Sequence, residues 1–146
     1  MIANGFDFPD DLLLLIEHQV WARPVAPDEA VVGITALGLH LAGELYMCRL
    51  KPAGATLAQG RGIGVVEVAK AIVSIKSAVS GELLECNEEV QQRPDLITED
   101  PYGRGWLARV RWRASERAQD MTQLVAASAA HDAIAAYAAT AERPIR

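Results

Sequence analysis

Val65-Val66-Glu67-Val68-Ala69-Lys70-Ala71-Ile72-Val73 sets one lysine between two alanines inside an apolar, mostly β-branched run. Val65-Val66 and Ile72-Val73 flank Ala69-Lys70 almost symmetrically, which predicts two antiparallel strands with Ala69-Lys70 at the tip of the turn. Two-residue hairpin loops favour Asn-Gly, Asp-Gly or other glycine-containing pairs, because the favoured turns need positive φ. Ala-Lys breaks that preference, and a position that breaks a local rule between well-patterned strands is a place to look for function. On these residues two readings stand. Lys70 is either a solvated hairpin lysine or a side chain that another protein grasps, for which Ala69 and Ala71 leave its stem without bulky neighbours. A lysine amine is protonated at neutral pH, so it needs an outside enzyme before it reacts.

Outward from the hairpin, short apolar segments recur between glycines and prolines, at 19–23, 31–35, 44–50, 64–68, 72–75, 81–86 and 106–112. Many short strands with turn signals between them predict a small sandwich or barrel. The first twenty residues read as a short helix or turn with Pro9 in its first turn, and 35–43 can hold one short helix. After Arg113 the chain becomes alanine-rich. Ser115 is placed as a helix N-cap, and 116–142 reads as two helices broken near Ala127-Ser128 that stop before Pro144. The expected architecture is one domain over 1–146, with a β core at about 17–113 and a helical cap at about 114–142.

The 146 residues are 51% hydrophobic and 23% charged, with a formal net charge of -5. A chain of this length buries about two thirds of its unfolded surface, so neither disulfides nor metals are needed to hold it. The acidic balance argues against a nucleic-acid reader. Leu12 to Ile16 is too short for a bilayer span and follows Asp7, Asp10 and Asp11 instead of a basic segment, so no membrane partner and a cytoplasmic location are expected. Cys48 and Cys86 have no histidine or carboxylate at metal-like spacing, and no metal site is expected.

Several motifs together resemble the H protein of the glycine cleavage system. They are Gly62 to Ala71 at the hairpin, Val79-Ser80-Gly81-Glu82-Leu83 with Asn87, Pro94-Asp95-Leu96-Ile97, and Asp100-Pro101-Tyr102-Gly103-Arg104-Gly105-Trp106-Leu107. Glu17-His18-Gln19-Val20 and Val32-Gly33-Ile34-Thr35 add to them upstream, so the resemblance runs over roughly 8–126. It implies a mainly β lipoyl-type barrel-sandwich hybrid of two small antiparallel sheets, with a short N-terminal segment and C-terminal helices. It also implies that Lys70 is the covalent attachment point for lipoate, and that the protein is a carrier with no catalytic residue of its own. The partners implied are a lipoate-protein ligase or lipoyl assembly enzymes, dihydrolipoamide dehydrogenase, and the enzymes that load and unload the arm. A biotinyl carrier places methionines beside its lysine, whereas this chain has Ala69 and Ala71.

The departures from that pattern surround the lysine. Ile72, Val73 and Lys76 stand where the family is small or polar, and Ala78 replaces a proline. Gln19 replaces the glutamate of H-E-W, and Leu41 replaces a frequent histidine, with His40 beside it. An aminomethyl cargo is cationic and is served by a carboxylate or polar lining, which a glutamine and a leucine supply less well. These departures favour a related branch that resembles the H protein but works in bacterial sulfur oxidation with a heterodisulfide-reductase-like complex. The alternative is a glycine cleavage H protein, and the contrasting possibilities are a thiol enzyme using Cys48 or Cys86 and a non-lipoylated scaffold that kept the fold. His18, His40 and His131 lie in three separate segments and read as structural or surface residues. Arg109, Arg111 and Arg113 alternate along one strand face, solvated by default or else a docking stripe, and the Asp100-Pro101-Tyr102-Gly103 turn reads as structural.

Overall fold

A computed structural model describes residues 1–141. The hairpin forms as expected: β8 (Gly62–Val68) and β9 (Ala71–Lys76) pair antiparallel with Val68 opposite Ala71 and Val66 opposite Val73. Ala69-Lys70 is therefore a two-residue turn. Among the described non-glycine residues only Asn4 and Gln19 have positive φ, so this turn is not of the mirror-image kind that calls for Asn-Gly. That explains how Ala-Lys is tolerated. Such turns splay the strands they join, and at a free tip with Ala69 to Ile72 exposed there is little packing to disturb. β6 (Met47–Leu50) pairs with the other edge of β8 and completes a three-stranded sheet, β6-β8-β9.

The facing sheet has seven strands in the order β12 (Val125–Ala126), β3 (Leu13–Leu15), β4 (Val20–Ala26), β5 (Glu29–Ile34), β11 (Ala108–Trp112), β10 (Gly81–Cys86) and β7 (Thr56–Leu57). Val66 and Ile75 of the small sheet and Val20, Val32, Leu83 and Val110 of the large one share one buried core. The mainly β sandwich with flanking helices is thus present. The separate ribbon of β1 (Ile2–Ala3) and β2 (Phe6–Asp7) lies beside it. A close approach between strands β10 and β11 needs a glycine, since a Cβ on Gly81 would lie 1.8 Å from the Arg111 carbonyl oxygen.

The turn expected at Pro9 forms, with the Leu12 amide donating to the Pro9 carbonyl at 3.2 Å, but no N-terminal helix does. The β1–β2 ribbon, β3 and a single 3-10 turn at Ile16–His18 take its place. The reason is a second core: Leu12 and Leu14 bury beside Phe8, Trp21 and Leu37, while Leu15 buries in the core between the sheets. Successive strand residues point to opposite faces and can serve two cores, whereas a helix buries one stripe. The strand expected at 19–23 begins at Val20 and continues through Pro24 to Ala26, with a register shift between Pro24 and Ala26 that accommodates the proline. The strands expected at 44–50 and 106–112 begin later, at Met47 and Ala108.

Helix α1 (Ala36–Ala42) occupies the region expected, with the Thr35 side chain accepting from the Gly38 amide at 3.0 Å. Two short helices, α2 (Glu88–Gln92) and α3 (Asp95–Glu99), were not foreseen. Asn87 starts the first by accepting from the Glu89 amide and also donates to the carbonyls of Arg104 and Trp106. Helix α4 (Ala114–Met121) begins before Ser115, so Ser115 is not its cap. The break near Ala127-Ser128 holds as a 3-10 turn, Ala127–Ala129, but β12 precedes it and joins the large sheet. α5 (His131–Ala141) then buries Ile134 and Ala138 in the second core. The expected helix end at Glu142 lies outside the described residues.

Two polar clamps hold these additions. Asp120 of α4 is 2% exposed and accepts from the Ser80 amide at 2.7 Å, the Ser80 hydroxyl at 3.0 Å and Trp112 Nε1 at 2.9 Å. The Tyr102 hydroxyl accepts from the Ala36 amide at 2.9 Å and donates to the Asp7 carbonyl at 2.7 Å, tying the Asp100 loop to α1 and to the N-terminal ribbon. The structural reading of that loop is sound: Asp100 also accepts from the Arg104 amide at 2.9 Å.

Candidate functional site

Lys70 is exposed at the hairpin tip, and among the described residues its ammonium takes part in no ion pair or hydrogen bond. Strand alternation then separates the two apolar neighbours. Ile72, 65% exposed, stands in a cross-strand row with Glu67 and Met47 on the outer face, whereas Val73 stands with buried Val66 and Cys48 on the inner one. Only Val73 reaches the space between the hairpin and α1.

That space is a cleft of about 140 Å³ lined by His18, Leu41, Val73, Ser74, Lys76 and Tyr137, among others, and among the described residues no carboxylate lines it. Leu41, Val73 and Lys76, three of the departures around the hairpin, meet here. Gln19 also borders the cleft but offers nothing to a guest. It is 3% exposed at φ +51, its amide nitrogen donates to the Ile16 carbonyl at 2.8 Å, and its amide oxygen accepts from the Thr35 hydroxyl at 2.7 Å. A carboxylate at position 19 would lose the donor that the Ile16 carbonyl uses, so Gln19 serves the corner between β3 and β4. Nor does His40 stand in for the missing histidine: it packs on Phe6 with ring centroids 5.1 Å apart, in a separate cavity of about 550 Å³. Lys76 Nζ donates to the Ser74 hydroxyl at 3.2 Å and has no carboxylate partner among the described residues. Tyr137 comes from α5, and no local signal points to it.

The two cysteines are placed against reactivity. Burial, and then nearby Cys86, push the Cys48 thiol up to about 12. Cys86 is raised by burial and by Glu88 and Glu85, and its thiol donates to the Lys51 carbonyl at 2.9 Å. Since the thiolate is the nucleophile, a thiol enzyme finds no support. For Cys48 a value of about 12 leaves on the order of one thiolate in ten thousand at pH 8. We therefore expect iodoacetamide at pH 8 to leave Cys48 unmodified in the folded protein and to label both cysteines in urea; rapid labelling of folded Cys48 contradicts this placement. The arginine stripe is likewise not a free docking surface: Arg109 pairs with Glu29 and Glu85, Arg111 with Glu82 and Arg113 with Glu116. His131 is exposed beside Asp132, and among the described residues no three His, Cys, Asp or Glu side chains gather to hold a metal.

A family model described as glycine cleavage H-protein matches residues 12–136 of the chain. The chain belongs to the glycine cleavage H-protein family. A probable glycine cleavage system H protein 2 of Sulfurisphaera tokodaii is 36% identical over 130 residues, covering 88% of this chain and 86% of that protein. Glycine cleavage system H protein 2 of Aquifex aeolicus is 36% identical over 122 residues, 84% of this chain and 74% of its own. The crystal structure of a glycine cleavage system H protein from Mycobacterium marinum superposes with a TM-score of 0.65 at 31% identity, over 79% of this chain and 99% of that one. H proteins are lipoyl carriers and not enzymes, and this chain is a carrier protein of that kind. No helix among the described residues is long and apolar enough to cross a membrane.

Proposed function

We propose that Lys70 takes lipoate in amide linkage and that the protein works in the cytoplasm as a mobile carrier between partner enzymes. The observation that carries this reading is an exposed lysine at a two-residue hairpin tip, flanked by alanines, whose amine the fold leaves unengaged. An amine in that setting fits an amide-linked arm: a ligase can reach it, and the amide costs the fold no contact. Bound lipoate supplies a dithiolane that opens by thiol–disulfide exchange, on a tether that raises the local concentration of its cargo at a docked site. Acylation removes one positive charge, which takes the formal net charge from -5 to -6. Production together with a lipoate-protein ligase is expected to add one lipoyl mass, and a protein that stays unmodified counts against the proposal.

For the pathway we adopt glycine cleavage, which the names of the relatives support over the sulfur-oxidation branch that the residues around the hairpin favoured. The partners are then the glycine cleavage enzymes, a lipoate ligase and dihydrolipoamide dehydrogenase, and the cargo is an aminomethyl group. One observation favours the second reading: among the described residues the cleft beside the hairpin has Lys76 and no carboxylate. An uncharged or anionic sulfur cargo, handled with a heterodisulfide-reductase-like complex, suits such a lining better than a cation does. Reconstitution decides between them. Glycine-dependent release of carbon dioxide with the lipoylated protein and the glycine cleavage enzymes supports the first reading. A lipoylated protein that dihydrolipoamide dehydrogenase turns over but that supports no glycine decarboxylation supports the second.

A further inference from the structure

The charge of this acidic chain is divided between its two sheets. Residues 47–76, which supply every strand of the small sheet, hold five cations (Arg49, Lys51, Arg61, Lys70 and Lys76) and one carboxylate, Glu67. The rest of the chain has nine cations against eighteen carboxylates, because the whole chain has 14 and 19. The fold treats the two groups of cations differently. Arg23, Arg93, Arg104, Arg109, Arg111 and Arg113 each pair with a carboxylate. Arg117 lies over the Trp112 ring at 4.4 Å and donates to the Pro27 carbonyl. Among the described residues, none of the five cations in 47–76 has a carboxylate partner, and Arg49, Lys51, Arg61 and Lys70 are exposed.

The register gathers these cations. Arg49 is opposite Val65, which is opposite Ser74, so the three share a row on the outer face of the sheet. Lys51 follows Arg49 by two residues, which returns it to that face, whereas Lys76 lines the cleft beside the hairpin. Gly62 and Gly64 put no side chain between them, and a shallow trough of about 310 Å³ lined by Arg49, Lys51, Val65 and Ser74 runs over the glycines. Ser74 lies four residues from Lys70, about 13 Å along the strand. A partner resting on the basic rows would have the hairpin tip at the margin of its contact, directed past the interface.

Unpaired like charges kept on one face add nothing to folding and repel one another, but they steer encounter with a surface of opposite sign. We propose that the outer face of the small sheet, with Arg49 and Lys51 at its centre, docks an acidic surface of the protein ligase that acylates Lys70. This rests on the carrier reading above. The remaining surface is acidic and repels a long polyanion, which favours a protein partner with a local acidic patch.

The test uses the full chain and its lipoate-protein ligase, reading both the lipoyl mass at completion and initial rates against carrier concentration. The double variant R49E/K51E is expected to raise KM about tenfold at low salt while kcat holds, with a difference that shrinks as salt screens it. Arg111→Glu, on the paired stripe of the large sheet, is the control and is expected to stay within twofold of wild type. If wild type and double variant are both modified with the same KM, or if Arg111→Glu raises KM as much, the docking proposal is overturned and the carrier reading stands. If wild type gains no lipoyl mass, the carrier reading falls and the docking proposal with it.

Discussion

Lys70→Arg is expected to abolish the gain of a lipoyl mass in cells that make a lipoate ligase, while Lys51→Arg and Lys76→Arg are modified as fully as wild type. Amide formation needs an amine that can give up its proton and attack an activated carboxyl. A guanidinium stays protonated and cannot be acylated in this way, although it keeps the charge and much of the bulk of lysine. Because Lys70 is exposed and makes no ion pair or hydrogen bond among the described residues, the variant should melt with wild type, so loss of modification is not a folding effect. The other two lysines test placement. Lys51 follows β6 at the far end of the sheet from the tip, and Lys76 is half-buried with its amine on Ser74. Intact-mass spectrometry with peptide mapping reads the outcome, and a lipoyl group on Lys70→Arg, or on Lys51 of wild type, defeats the assignment.

The second large effect concerns stability. Asp120→Ala is expected to cost about 3 to 5 kcal/mol, because it leaves the Ser80 amide, the Ser80 hydroxyl and the Trp112 indole buried without their acceptor. For a chain of this length that corresponds to a fall in Tm of roughly 10 °C or more. The comparison is Glu82→Ala, which removes the partner of Arg111 in an exposed pair with both side chains about half accessible. Such pairs contribute about 0 to 1 kcal/mol, so this variant should unfold within a degree or two of wild type. Urea titrations of both variants decide it. Similar midpoints for the two would mean that the clamp between α4 and the large sheet is not where the stability lies.

The hairpin was legible because every determinant of it is local. Two β-branched arms, a two-residue link and the alternation of faces all lie between Val65 and Val73, and they set the exposure of Lys70 as well. The second core was not legible. Leu12 to Ile16 is apolar without period, and whether it forms a helix or a strand depended on Trp21, Leu37 and Ile134 arriving on one side of Leu14 while the sheet core took Leu15. Ala114 to Ala141 has the composition of helix throughout, yet Val125–Ala126 became a strand because the edge of β3 offered it unpaired backbone groups.

The residues around the cleft show the same division. Leu41, Val73 and Lys76 stood out against the family pattern one at a time, and folding brought them to a single wall with Tyr137 of the last helix. Gln19 stood out equally and turned out to be consumed by Ile16 and Thr35. A residue's type is visible along the chain, but whether its polar atoms are free depends on partners many positions away. The sequence by itself determined the sandwich class, the hairpin and the lysine it presents, since strand alternation and turn spacing act over a few residues. Only the tertiary structure decided which cations stay unpaired and what lines the cleft, because both depend on which strands become neighbours.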